Sequence, residues 1–235
     1  MPSPQPAFFH WSTGKDSALA LWRMLQNPAY RIEHLLTTFN THHDRVSMHG
    51  LRRSLFEAQM QRIGLPYSTV ELPEQPDMVT YETALQEAVL AQKAQGRTLA
   101  GLGDIFLEDL RQYREKQHQA WGVQPVFPLW GEDSHKLLDE FWQGGFQAIV
   151  ICTDAQKLDP SFCGRLLDEA FVRDLPTGVD PCGENGEFHT FCFAAPFFKS
   201  PVDFQMGEKV LKTYPAPAGS ASATLGFWFC DLLPS

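Results

Sequence analysis

The sequence has no C-x-x-C pair, and its five cysteines (Cys152, Cys163, Cys182, Cys192 and Cys230) are odd in number. A disulfide framework and a cysteine-based zinc site are therefore not expected, and a reducing cytoplasm is the expected compartment. Basic charge is not in excess: 19 Lys and Arg stand against 28 Asp and Glu, a formal net charge of −9. Without a basic stripe there is no general footprint for nucleic acid, which is not expected as a partner. No apolar run approaches the ~18 residues of a membrane-spanning helix. Met1–Pro6 has no basic segment leading into an apolar core, so it does not read as a secretory leader. No internal repeat is visible, and the Walker pattern G-x-x-x-x-G-K-[ST] is missing.

What is present is an ordinary globular composition, with 43% hydrophobic and 20% charged residues in 235. That length suits one large domain, or one domain with an appendage, burying about 70% of its unfolded surface. Apolar runs at 7–11, 31–39, 67–72, 98–105 and 146–152 read as strands. Segments 18–25, 51–63, 80–95, 108–121 and 133–143 have helical spacing. In the first helix Ala18, Leu21, Trp22 and Leu25 share a face, and residues 40–49 read as a loop. Gly64-Leu65-Pro66, Gly96, Gly122 and Gly144-Gly145 sit where helices should stop. Strands alternating with helices imply parallel pairing with right-handed crossovers. From about residue 153 the pattern changes. Asp159-Pro160 reads as the start of a helical segment continued by Leu166, Leu167, Ala170 and Phe171. Segments 188–198, 208–214 and 223–232 read as antiparallel strands, with a Pro/Gly/Ser turn over Pro215–Ser222.

The chemistry concentrates in two stretches. Ser12-Thr13-Gly14-Lys15-Asp16-Ser17 lies between the first strand and the first helix. A small-residue turn there presents free N–H groups and the positive end of the helix dipole, which suits phosphate. Lys15 adds a point charge, and Ser12 and Ser17 add hydroxyls. The alternative is a helix start capped by Asp16 or Ser12. Ligands in parallel sheets bind beyond the carboxyl ends of strands. Ser12–Ser17, Asn40–Gly50 and Gly101–Ile105 should therefore meet in one crevice. The second stretch is Gly183-Glu184-Asn185-Gly186-Glu187-Phe188-His189-Thr190. Its acids either hold a cation such as Mg²⁺ or ammonium, or are solvated groups on a glycine-rich approach to a strand. Asp104 reads as a nucleotide or metal contact, or as a cap. Arg111 and Arg114 read as a phosphate or carboxylate clamp, or as surface partners of Glu108 and Glu115. His42 and His43 read as solvated, and Cys182 as structural.

The first stretch resembles the S-G-G-x-D-S loop of ATP pyrophosphatases. Together with Arg45–Gly50, Gly101–Ile105 with Arg111, Pro128–Gly131, Gly164-Arg165 and Gly183–Thr190, it resembles the diphthine–ammonia ligase family over residues 7 to 200. The resemblance implies an α/β fold: a five-stranded parallel, adenine nucleotide alpha hydrolase-like (HUP) domain over 1–130, and a smaller C-terminal α+β domain over 131–235. It implies ATP and Mg²⁺, adenylation of a carboxylate, amidation by ammonia, and release of AMP and pyrophosphate. The acceptor would be protein-borne diphthine or, since 103–111 looks like a bacterial-type subgroup, a small molecule. A homodimer is left open.

On that resemblance Lys15, Asp16, Glu184 and Glu187 are expected to be catalytic. Ser12, Thr13, Gly14, Lys15, Asp16, Ser17, Gly103 and Asp104 would bind nucleotide, with Asp16 also a metal candidate. His49, Arg111, Gly183, Glu184, Glu187 and Thr190 would bind substrate. Two other readings remain: a pyrophosphatase acting on another carboxylate or a tRNA, and a non-catalytic ATP-binding module. One departure stands out. Thr13 occupies a position usually held by glycine, and a β-branched residue is costly there if φ is positive.

Overall fold

A computed structural model describes residues 3–216 and 223–235. In chain order the first half carries β1 (Gln5–His10), α1 (Lys15–Gln26), β2 (Tyr30–Asn40), β3 (Arg45–Val46), α2 (Arg53–Ile63) and β4 (Tyr67–Leu72). It continues through α3 (Met78–Ala94), β5 (Leu99–Gly101), α4 (Glu108–Ala120) and β6 (Gln124–Val126). The second half carries α5 (Ser134–Gln143), β7 (Gln147–Asp154), α6 (Glu169–Asp174), β8 (Phe188–Ala194), β9 (Phe204–Pro215) and β10 (Thr224–Pro234). The turn expected over Pro215–Ser222 lies, from residue 217 onward, outside the described residues. No helix among the described residues is long and apolar enough to cross a membrane.

Five strands pair in parallel in the order β4-β2-β1-β5-β6. Phe39 and Asn40 use one edge for β4, so β3 takes the other edge, which β1 vacates after His10. From the central β1 the chain first builds toward β2 and β4, and later toward β5 and β6. The carboxyl ends of β1 and β5 thus form a topological switch point, where a crevice opens. A second sheet, β8-β7-β10-β9, is antiparallel.

Local chemistry explains the element ends. Asp77, Asp133 and Asp168 accept the N–H groups of Thr80, Lys136 and Phe171, capping α3, α5 and α6. Gly64 ends α2 in the left-handed region. β1 alternates between two cores. Ala7, Phe9 and Trp11 join the larger buried cluster, while Phe8 joins a smaller one with Leu36, Leu85 and Trp121. The larger cluster also takes Leu137, Phe141, Ile149 and Phe191, so the two sheets share one continuous apolar interior.

Several elements differ from expectation. The run at 146–152 is a strand, but it pairs antiparallel in the second sheet, because a fully buried run carries no sign of its neighbours' direction. The fifth parallel strand is instead β6, whose three residues include Pro125 and are too few to show alternation. It sits at the sheet edge, where proline is tolerated. Asp159-Pro160 forms a turn, with the Asp159 side chain accepting the Ser161 N–H. The helix starts only after Asp168, and Leu166 lies 52% exposed on an isolated bridge to Ile149. Leu25 is exposed, and Met24 takes its place in the core. The expected loop at 40–49 contains β3.

Gln59 on α2 ties the parts together. Fully buried, it accepts the Trp11 indole N–H (2.9 Å) and donates to the carbonyls of Cys192 (2.7 Å) and Thr13 (3.2 Å). Replacing Gln59 by Leu strands buried polar partners. It should cost on the order of 2–4 kcal/mol, read as a lower midpoint in urea unfolding with an unchanged slope.

Candidate functional site

The loop Ser12–Ser17 closes on itself before α1 begins. The Ser12 hydroxyl donates to Ser17 Oγ (3.0 Å), and the Ser17 hydroxyl donates to the Gly14 carbonyl (3.0 Å). Gly14 is the N-cap and supplies no side-chain cap, so the first-turn N–H groups of Asp16 and Ser17 stay free of one. The Lys15 N–H donates to Thr190 Oγ1 at the start of β8 (3.0 Å). A Cβ on Gly14 would lie 2.7 Å from the His49 ring, and one on Gly103 would lie 3.0 Å from the Ser17 nitrogen. Both glycines are therefore demanded by close packing around the loop.

Thr13 has φ of +75°. Its carbonyl accepts from the Cys192 N–H (2.9 Å) and from Gln59, and its buried hydroxyl has no hydrogen-bond partner. The loop does need a left-handed residue there, and this chain fills the position with a β-branched one.

The loop lines a cleft of about 370 Å³. Lys15 Nζ contacts both carboxylate oxygens of Asp16 (2.6 and 2.7 Å). Burial pulls its pKa down, but the charge and hydrogen bond of Asp16, with the Glu184 carboxylate beyond, outweigh this, so Lys15 stays charged. Opposite stands Glu184, whose Oε1 accepts the Ile105 N–H (2.8 Å). Burial, and then the Asp16 charge, push its pKa up to about 7 against the pull of that N–H. Asp104 is buried and faces Arg114 Nε at 3.1 Å; burial raises its pKa despite the guanidinium. His49 Nδ1 donates to the Thr190 carbonyl (3.0 Å). Burial lowers the pKa of His49 to about 4, and that of its neighbour His189 to about 3.

The expected residues thus separate into groups. Ser12, Lys15, Asp16, Ser17, His49, Gly103, Asp104, Gly183, Glu184 and Thr190 line one cleft. Thr13 and Gly14 shape the loop from behind. Glu187 is 1% exposed and outside the lining, bracing the turn through Asn185 (3.1 Å) with Lys157 nearby (3.6 Å). Arg111 also lies outside the lining. Its guanidinium sits over Trp130 (4.6 Å), and its Nε donates to Glu115 (2.7 Å).

The cleft also takes in His10 and His189, to which no role was assigned, and Arg114, the half of the expected Arg111–Arg114 clamp that does reach it. Asp180 was missed as well. It buttresses the second stretch, accepting the N–H groups of Cys182 (3.1 Å) and Glu184 (3.0 Å). Of His10, His189 and Asp180, only His189 carried a stronger signal, through its place inside the Gly183–Thr190 stretch. His42 and His43 come within 4.8 Å of the Glu74 carboxylate, as an exposed group outside the lining.

The loop's uncapped helix N–H groups and charged lysine suit a tripolyphosphate. Asp16, Asp104 and Glu184 carry oxygen donors of the kind Mg²⁺ takes, though among the described residues only His42, His43 and Glu74 bring three candidate ligand atoms within 4.8 Å of one another.

A parallel HUP-type α/β sheet with a glycine-containing phosphate loop, joined to a smaller antiparallel domain, defines an adenine nucleotide alpha hydrolase-like protein. Residues 7–124 match the model of the diphthamide synthase N-terminal domain, and 133–215 that of the diphthamide synthase C-terminal domain. The chain belongs to the diphthamide synthase family. It is 35% identical over 128 residues to the diphthine–ammonia ligase of Bos taurus, covering 52% of this chain and 47% of that protein. It is 33% identical over 112 residues to that of Homo sapiens (45% and 42%). For the ligase of Schizosaccharomyces pombe the match is 31% over 85 residues (34% and 14%). The chain thus spans about half the length, or less, of these curated relatives.

Thr13→Gly should relieve the left-handed strain and remove the unpaired hydroxyl. Part of that gain is offset by glycine's unfolded-state freedom, so the expected stabilisation is about 1–2 kcal/mol, measurable as a higher urea midpoint.

Proposed function

We propose that this protein is an ATP-dependent carboxylate–ammonia ligase that releases AMP and pyrophosphate. The observation that carries this reading is one cleft with an uncapped helix N-terminus and Lys15 on one side and Glu184 on the other. Residues 1–130 would bind the nucleotide, and 131–235 would present the acceptor. The names of the relatives support ammonia and a diphthine-type carboxylate as co-substrates.

The residues divide the work by charge. Pyrophosphate gathers negative charge as it leaves. The aimed N–H groups of Asp16 and Ser17, with Lys15, stabilise that charge without reorganising. Asp16 holds Lys15 in place and, with Asp104, would hold Mg²⁺, which supplies further charge neutralisation when bound. Glu184 is poised near neutrality, so its carboxylate can hold ammonium beside the acceptor and take its proton. Neutral His49 and His189 wall the cleft next to Thr190. Glu187 and Asp180 keep Glu184 in register.

Lys15→Ala should lower turnover at least ~100-fold, the scale of losing a main charge stabiliser. AMP and pyrophosphate should appear only when ATP, ammonium and a carboxylate acceptor are all present. ADP and phosphate as products would refute the reading, and nucleotide binding with no turnover for any acceptor would reduce it to a binding module. Glu184 carries a raised pKa of about 7, so its active carboxylate form is lost as pH falls through neutrality. Activity at subsaturating ammonium should therefore rise through pH ~7. Glu184→Gln should flatten that limb and cut activity by ~10-fold or more.

A further inference from the structure

The end of the cleft formed by α3 and α4 takes no part in the chemistry above. Its walls carry Leu36, Tyr81, Leu85, Leu107 and Leu110, with Arg114 of α4, held by Asp104, as the charged group at their margin. His10 closes it. This residue ends β1 on the face of Phe8, whose ring it meets edge-on at 5.3 Å. Behind it lies His118 of α4, fully buried.

The protons on this pair follow from their partners. His118 Nδ1 is 2.8 Å from the Arg114 carbonyl oxygen, which can only accept, so Nδ1 carries the hydrogen. Burial holds both rings neutral, and a neutral imidazole has one N–H. His118 Nε2 is therefore a bare lone pair. His10 Nε2 lies 2.9 Å from it and must donate. His10 Nδ1 is left as a lone pair, and no donor from the described residues meets it. The Arg114 carbonyl thus sets, through two rings, a fixed hydrogen-bond acceptor at the apolar end of the cleft.

We propose that His10 selects the base of the nucleotide, accepting a hydrogen bond from the exocyclic amine of a 6-aminopurine and rejecting a 6-oxopurine. This rests on the reading of the cleft as a nucleotide site. The leucines and Tyr81 offer apolar surface of the kind a flat purine ring would bury. A 6-amino group donates to Nδ1, whereas a 6-oxo group sets one acceptor against another in a desolvated place, and neither can turn away. His118 acts as a positioning residue that holds the His10 tautomer.

The test is calorimetric binding of ATP, inosine triphosphate and purine riboside triphosphate, without acceptor, to the full chain and to His10→Phe and His118→Phe. The full chain should bind ATP at least ~10-fold more tightly than inosine triphosphate, with purine riboside triphosphate between them. His10→Phe should bring ATP and inosine triphosphate within about 2-fold while keeping affinity for the triphosphate. His118→Phe should weaken the preference. Long-range 1H–15N spectra of the unmodified protein should show His118 protonated on Nδ1 and His10 on Nε2, and in His118→Phe a mixture of His10 tautomers. Equal binding of ATP and inosine triphosphate, an undiminished preference in His10→Phe, or the opposite tautomers would overturn this inference alone. Failure to bind any triphosphate would overturn the nucleotide reading and this inference with it.

Discussion

The Ser12–Ser17 loop is suspended from the second sheet. Its backbone turns left-handed at Thr13, and the carbonyl exposed by that turn is held by the Cys192 N–H and the Gln59 amide. One residue past the Gly14 cap, the Lys15 N–H is held by Thr190. Cys192 and Thr190 lie on one strand, two residues apart, so a single β8 edge fixes both ends of the turn. A loop with a threonine in a glycine conformation persists because its surroundings over-determine it. The loop and β8 therefore act as one unit, although 175 residues separate Lys15 from Thr190.

That suspension has an electrostatic consequence. Bringing β8 against the loop also brings the turn before it, and Glu184 arrives opposite Lys15 and Asp16. Burial then does opposite things to groups of opposite charge. Lys15 keeps its proton because acids surround it, Glu184 becomes a weak acid, and His49 and His189 lose theirs. Around the loop the cleft sets the Lys15–Asp16 pair, an acid poised at neutrality and two uncharged imidazoles close together, so it is polar without a large excess of one charge. Such a place can receive a polyanion beside a small cation.

The strands and helices of the first half were legible because each has enough residues to show its period. Tyr67–Leu72 falls where the pattern put it, and Gly64, Gly96 and Gly122 stop helices with positive φ. Three-residue β6 was not legible, since alternation needs length, and the Pro125 at its centre argued against a strand. The β7 run reads as a strand but not as a member of the second sheet, because apolar runs do not record partners. The site divided in the same way. Local motifs marked Ser12–Ser17 and Gly183–Glu184. Arg111 and Arg114 looked equivalent in sequence, yet one helical turn sends Arg111 onto Trp130 and Arg114 onto Asp104.

The sequence by itself determined the short-range properties: which segments are strands, where helices stop, and which loop leaves helix N–H groups without a side-chain cap. Each depends on neighbours within a few residues. Only the tertiary structure decided that Glu184 faces the cleft while Glu187 lies beneath it, that Thr13 must take a positive φ, and that His10 is backed by a buried ring from α4. Those outcomes depend on burial and on partners from distant strands. A side chain's ionisation and proton position are set by whatever folding places within hydrogen-bond reach, and the local sequence does not contain that information.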